Sequence, residues 1–321
     1  MVNVSTTGPF QAVWTASNST LKYPEYTGVA YLANKVKGML LYLPNSLVAL
    51  CVNPRGAYRT TSRTIFESER SKGYSKEIIT PDNVTLFAKI YIAEGSTKDT
   101  KTTILFNPLG TNSDVRDHLQ TTLIHEKTNV VTFNYRGLGN TWRAKDLVVD
   151  GESVYQFVVD ELGINKDSVN MYGHSLGGAV ATSVKALHQD SKGKLVADRA
   201  FKSVYSLLTE NLCISRFGRV VKKITSLVLS IFIAYPVYLL GWEWNNERAI
   251  CDLTSDKLVI FHPNDVLVTK SASLASVCES DDVLELDRSE FGGSTHFAPL
   301  SSHNTQNGER AKDVVVDFLK G

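Results

Sequence analysis

Apolar positions along the chain fall into three regimes. From Gly38 to Val52 the run GMLLYLPNSLVALCV carries no charge and is interrupted by Pro44-Asn45. From about Lys76 onward, short β-branched or aromatic runs alternate with amphipathic segments of helix length. Within that alternation a second charge-free run, ITSLVLSIFIAYPVYLLGW from Ile224 to Trp242, follows Lys222-Lys223 directly. The alternation predicts an α/β fold with a mostly parallel central sheet and helices on both faces.

Individual strands can be assigned. KEIIT and VTLFAKIYI flank Pro81-Asp82-Asn83 and predict an antiparallel hairpin. TTILFN (Thr102 to Asn107), NVVTFN (Asn129 to Asn134) and SVNMYG (Ser168 to Gly173) each lead through a Gly-containing turn into a helix-length segment. KLVIF (Lys257 to Phe261) and VLELD (Val283 to Asp287) add two strands, and ERAKDVVVDFLK closes the chain with apolar residues at helical spacing. The expected organisation is an N-terminal, partly apolar helical extension over 1–72 and a catalytic domain over 73–321, with a helical cap inserted at about 207–250.

Composition narrows the classes. Thirty-four Lys+Arg against 33 Asp+Glu leave a net charge of +1, and 43% of the 321 residues are hydrophobic. That excludes disorder and gives nucleic-acid binding no electrostatic support. Cys51, Cys213, Cys251 and Cys278 lie far apart without a CxxC pair, so neither a metal site nor a disulfide framework is indicated and a reducing compartment fits. The first 27 residues lack the basic and apolar blocks of a secretory signal. Localisation is expected in the cytoplasm or at a membrane surface, with export lacking a cleaved signal as an alternative.

Chemistry concentrates at Gly173-His174-Ser175-Leu176-Gly177, a G-x-S-x-G placed after a predicted strand and before a predicted helix. A serine at so sharp a turn needs small neighbours, which Gly173 and Gly177 supply. The helix N-terminus behind it aims backbone N–H groups at any developing negative charge. A serine hydroxyl also needs a base, and the base an orienting acid. Asp265 stands in the turn after KLVIF, and His296 in FGGSTHFAPL after VLELD, giving the chain order Ser, Asp, His.

Each partner has rivals. Asp281 and Asp282 precede a strand and should lie at the wrong edge of the sheet. His262 sits beside the acid's own turn, His303 near the polar segment SSHNTQNGE, and His174 points away from the serine by alternation. Oxyanion donors are expected at Leu176 N–H and at Leu109, or Gly110 if the loop bends one residue later, because Pro108 has no N–H. Asn134-Tyr135-Arg136-Gly137 and Asp198-Arg199, the latter expected to begin a short strand, either line the site or fix loops.

The runs FNPLGTN, VVTFNYRGLGNTW, LVVDGESVYQFVVDELG, VNMYGHSLGGAVAT, DRAFKSV, IFHPNDVLV and THFAPL resemble the chlamydial CHLPS-type branch of the α/β-hydrolases, over about residues 60 to 318. More distantly they are similar to abhydrolase-domain thioesterases and lipases. The resemblance implies Ser175, Asp265 and His296 as triad. It names no substrate, and Asn107-Pro108 departs from the His-Gly many relatives carry there.

The run from Ile224 to Trp242 separates Ser175 from Asp265 in sequence. A straight helix of this length would extend about 28 Å, close to a bilayer core. A single crossing would put two triad members on opposite sides of a membrane, and Pro236 breaks the helix. A lid over the pocket, or a segment lying in a membrane interface, remains. Tyr235, Tyr238, Trp242 and Trp244 at its edge suit an interfacial anchor or packing in a cap. The expected activity is hydrolysis of an ester or thioester of a hydrophobic acyl group, with no cofactor or metal and with peripheral membrane contact through 224–242 and 38–52. The alternatives are an amidase or peptidase with the same triad, and a noncatalytic hydrolase-fold module that binds a membrane or partner.

Overall fold

Strands with both faces covered by helices are buried along their whole length, as TTILF, NVVTFN and VNMYGH at the centre of this sheet are. The computed structural model describes residues 73–106, 117–136, 143–207, 241–287 and 295–321, all within the unit Ser46–Gly321. The N-terminal extension and most of the expected cap, including 38–52 and 224–240, lie outside the described residues. Eight strands appear among these residues: β1 (Tyr74–Ile79), β2 (Thr85–Tyr91), β3 (Thr102–Phe106), β4 (Asn129–Asn134), β5 (Val169–His174), β6 (Leu195–Asp198), β7 (Lys257–Phe261) and β8 (Val283–Glu285). Their order across the sheet is β1-β2-β4-β3-β5-β6-β7-β8. β1 and β2 form the expected antiparallel hairpin, β2 runs antiparallel to β4, and the remaining pairings are parallel. Asn83 closes the hairpin turn in the left-handed conformation (φ 63°), which asparagine tolerates.

Alternation along each strand divides the core in two. Ile104, Phe106, Val131, Phe133 and Met171 face helices α2 (Ala144–Gln156) and α3 (Leu176–Leu187), meeting Leu147, Val154, Val180 and Val184. Leu105, Val130, Tyr172 and Val196 face the other way, toward Leu119 and Leu123 of α1 (Asp117–His125) and Val315 and Leu319 of α5 (Ala311–Lys320). The short helix α4 (Asn246–Cys251) adds to the first layer, where Ser183 on α3 donates to Asn246 Oδ1 at 2.8 Å.

One expectation changes here, and one open alternative closes. Asp198 ends β6, and Arg199 leaves the strand with φ 47°; no strand begins at that pair. Trp242 and Trp244 are buried, and Trp244 packs edge-on against Phe201 with ring centroids 5.8 Å apart. Their aromatic area serves the protein core, so neither is an interfacial anchor. Among the described residues no helix is long and apolar enough to cross a membrane.

Candidate active site

β3 and β5 are neighbours, yet the chain leaves β3 toward β4 and β5 toward β6, so the sheet changes winding direction between them. Crevices at the carboxyl ends of strands form at such a point. Ser175 stands there, between the end of β5 and the first turn of α3, with φ 55° and ψ −119°. A non-glycine residue in that region is strained, and the surroundings enforce it. Gly173 lies so near the helix that a Cβ on it would meet Gly177 O at 2.3 Å and Gly178 N at 2.6 Å. Gly178 is also closely packed, since a Cβ on it would lie 2.6 Å from Ala200 Cβ and 2.8 Å from Gly173 O. The Ser175 N–H donates to Asp198 O at 2.8 Å, fixing the turn to the end of β6.

Two loops meet this serine. Asp265 follows β7 in a turn closed by its own N–H on His262 O (3.0 Å). Its Oδ1 accepts the N–H groups of Leu267 (2.8 Å) and Val268 (2.9 Å), which leaves Oδ2 for His296 Nδ1 at 2.6 Å. His296 Nε2 lies 2.8 Å from Ser175 Oγ. Burial pushes the Asp265 carboxyl up, but the bond and charge of His296 and the two amides outweigh it, holding it below its ordinary value. An ionised Asp265 accepts from Nδ1–H, so Nε2 presents its lone pair to the serine hydroxyl. Asp265 and His296 are buried and Ser175 is half-buried. The structure therefore brings the three residues picked out by chain order into one hydrogen-bonded line.

The rivals are placed elsewhere. Asp281 and Asp282 form a turn ahead of β8, with Asp282 paired to Lys257 at 3.3 Å. His262 Nδ1 accepts the Asn264 N–H at 3.0 Å, a local turn contact. His303, expected near an exposed segment, is buried with its Nε2 3.4 Å from Arg199 Nη1. His174 is buried and its Nε2–H donates to the carbonyl of His296 at 2.8 Å. Arg136 bridges Asp150 (2.7 Å from Nε) and Asp82, tying the exit of β4 to α2 and to the hairpin turn. Leu176 opens α3, so its N–H is one of four that a helix leaves without an internal acceptor. Leu109 and Gly110 lie outside the described residues.

The buried histidines make a measurable prediction. Burial, then the charge of Arg199, pushes His174 down to about 3; the same causes, with His262, push His303 down to about 4. Unfolded histidine binds a proton near its ordinary value of about 6.5. The unfolded state therefore holds more protons below that pH, and stability falls from about pH 6.5 toward pH 4. These two groups contribute on the order of 2 kcal/mol per pH unit across that window. Urea midpoints at pH 7, 5.5 and 4.5 should show the slope, and His303→Gln should reduce it. An equal slope in that variant would assign the acid sensitivity to other groups.

No protein-family model matches the chain. Protein bem46 of Schizosaccharomyces pombe is 25% identical over 201 residues, which is 60% of this chain and 66% of that protein. The chain thus matches just under two thirds of that relative's length. Among solved structures, 2,6-dihydroxy-pseudo-oxynicotine hydrolase superposes with a TM-score of 0.57 at 12% identity, covering 81% of this chain and 70% of that one. Est1E from Butyrivibrio proteoclasticus, solved with ferulic acid bound, gives 0.51 at 13% identity, covering 76% and 96%. The fold is the α/β-hydrolase fold. Nothing in these likenesses singles out the chlamydial branch.

Proposed function

We propose that this α/β-hydrolase fold works as a serine hydrolase, transferring the acyl group of an ester or thioester to water. The observation that carries the reading is the line Ser175 Oγ, His296 Nε2, His296 Nδ1, Asp265 Oδ2, with separations of 2.8 and 2.6 Å, at the end of a strained strand-to-helix turn. His296 removes the hydroxyl proton as Oγ attacks the carbonyl carbon, then gives it to the departing alcohol or thiol. Asp265 fixes the tautomer and balances the imidazolium charge. Leu176 N–H, at the open end of α3, takes the oxyanion, and Leu109 or Gly110, which lie outside the described residues, is the second donor the sequence offers. Water repeats the sequence to free the acid.

The acyl group is hydrophobic in this reading. Phe297, the residue after the base, is 45% exposed, and Val266, the residue after the acid, is 71% exposed. Apolar side chains shown to solvent on both loops that reach the serine give a chain of methylenes somewhere to lie, at roughly 25 cal/mol per Å² buried. The solved neighbour that holds ferulic acid is itself an acid-bound likeness at this fold. A p-nitrophenyl ester series from acetyl to palmitoyl tests the proposal. Turnover should rise in kcat/KM from acetyl to at least octanoyl, and Val266→Ser with Phe297→Ser should cut the longer substrates several-fold more than acetyl. Acetyl as the best substrate would leave a small-ester hydrolase. A folded protein that cleaves none of the series would favour the noncatalytic module.

A further inference from the structure

Asp198-Arg199 sits beneath the serine and its base without joining the line of proton transfer. Arg199 is buried, as is Asp198, and its backbone holds φ 47°, a conformation arginine rarely adopts. All three guanidinium nitrogens donate. Nε and Nη2 donate to the two oxygens of Asp198 at 2.8 and 2.9 Å. Nη1 donates to the carbonyls of Thr295 (2.7 Å) and Ala298 (2.9 Å). Those carbonyls bracket His296 in the chain. Asp198 is held in turn by the Tyr172 hydroxyl at 2.8 Å, and its own carbonyl accepts the Ser175 N–H. One dipeptide therefore grips the backbone of the serine on one side and both shoulders of the histidine on the other.

An ion pair buried this deeply is costly to desolvate, and apolar packing could join two loops at lower cost. What a planar, five-donor fork adds is direction, since it fixes where two carbonyls sit relative to a carboxylate. The strained backbone points the same way, because the left-handed turn at Arg199 aims the side chain back under the histidine loop. Thr295 completes the frame by donating its hydroxyl to Asn264 O (3.0 Å), coupling the histidine loop to the acid's turn. His174 adds its bond to the carbonyl of His296 itself.

We propose that Arg199 is a positioning residue for His296, oriented by Asp198 and Tyr172, and that it sets the distance between the imidazole and the serine hydroxyl. The inference rests on the serine-hydrolase reading. Proton transfer is steep in distance, and a misplacement of about 1 Å costs on the order of a hundredfold in rate. Lysine keeps the charge beside Asp198, but its single ammonium cannot hold both Asp198 oxygens and both carbonyls in the fixed plane of the guanidinium.

Arg199→Lys in the full chain, assayed on p-nitrophenyl butyrate, should lower kcat by about 10- to 100-fold. KM should stay within about twofold and cooperative melting should persist. In a His296→Ala background the same substitution should leave the residual rate within about twofold, because the group it places is gone. A folded Arg199→Lys enzyme with kcat near the wild-type value overturns the proposal, and so does an equal loss in the His296→Ala background. Should Arg199→Lys not fold, Tyr172→Phe decides. It removes one hydroxyl from Asp198 and should lower kcat by about two- to tenfold at constant KM; an unaltered kcat overturns the proposal. A folded wild type that cleaves no ester removes the hydrolase reading and the inference with it, whereas an active wild type with an indifferent Arg199→Lys removes the inference alone.

Discussion

Ser175→Ala is expected to lower ester turnover by on the order of a million-fold and to abolish labelling by a fluorophosphonate, without unfolding the chain. The fold should survive because alanine keeps the Cβ and the same left-handed backbone at φ 55°, and loses only a half-buried hydroxyl. The loss should be total in effect because Oγ is the atom 2.8 Å from His296 Nε2. His296→Ala should reach a similar level, and the double variant should be scarcely worse than either, since members of such a line act as a unit. Asp265→Ala should cost less, on the order of ten-thousand-fold, because a base without its orienting partner still reaches the serine part of the time. His262→Ala and Asp281→Ala should cost little. Multiplying losses in the Ser175/His296 pair would show that a different group takes the proton.

Much of this frame was legible because it rests on local pattern. β3, β4 and β5 are buried on both faces and each is followed in the sequence by a glycine-containing stretch, so TTILFN, NVVTFN and SVNMYG announce themselves. Ser175, Asp265 and His296 each follow a strand in the chain order that a hydrolase sheet requires, and their meeting needs only that β5, β7 and β8 run parallel and end at the same edge of one sheet. β6 is four residues long and ends at Asp198, and although the adjacent Arg199 announces a carboxylate partner, the histidine-loop carbonyls that its guanidinium also holds lie about a hundred residues away and leave no local signal. His303 stands among serine, asparagine and glutamine and reads as solvated. Its burial comes from Arg199, a hundred or so residues earlier, and from His262 across a 5.1 Å ring contact. Polar residues buried by long-range partners resemble loops until the partners are known. Trp242 and Trp244 are undecided by sequence, since an aromatic beside an apolar run suits an interface and a core equally well, and their burial selects the core.

Gly173→Ala should be the most damaging single methyl in the site. The added carbon would lie 2.3 Å from Gly177 O, 2.4 Å from Gly177 C and 2.6 Å from Gly178 N. All three are backbone atoms of the first turn of α3, so no side chain can rotate away to make room. β5 and α3 would have to separate, and α3 is pinned by Val180 and Val184 against the sheet and by Ser183 on Asn246. Overpacking of this kind costs typically 1–3 kcal/mol where side chains can adjust, and more where backbone must move, so a loss of about 4 kcal/mol is expected in urea unfolding at pH 7. The variant that remains folded should also lose activity, because moving the helix moves Leu176 N–H and the serine together. Gly308→Ala supplies the contrast. It is strained only by its φ of 83° and has nothing within 4 Å of the new carbon, so about 1 kcal/mol and unaltered turnover are expected. Equal, small effects at the two positions would mean that the strand and helix can part at low cost, and that the strained serine turn is held by something other than the glycine beside it.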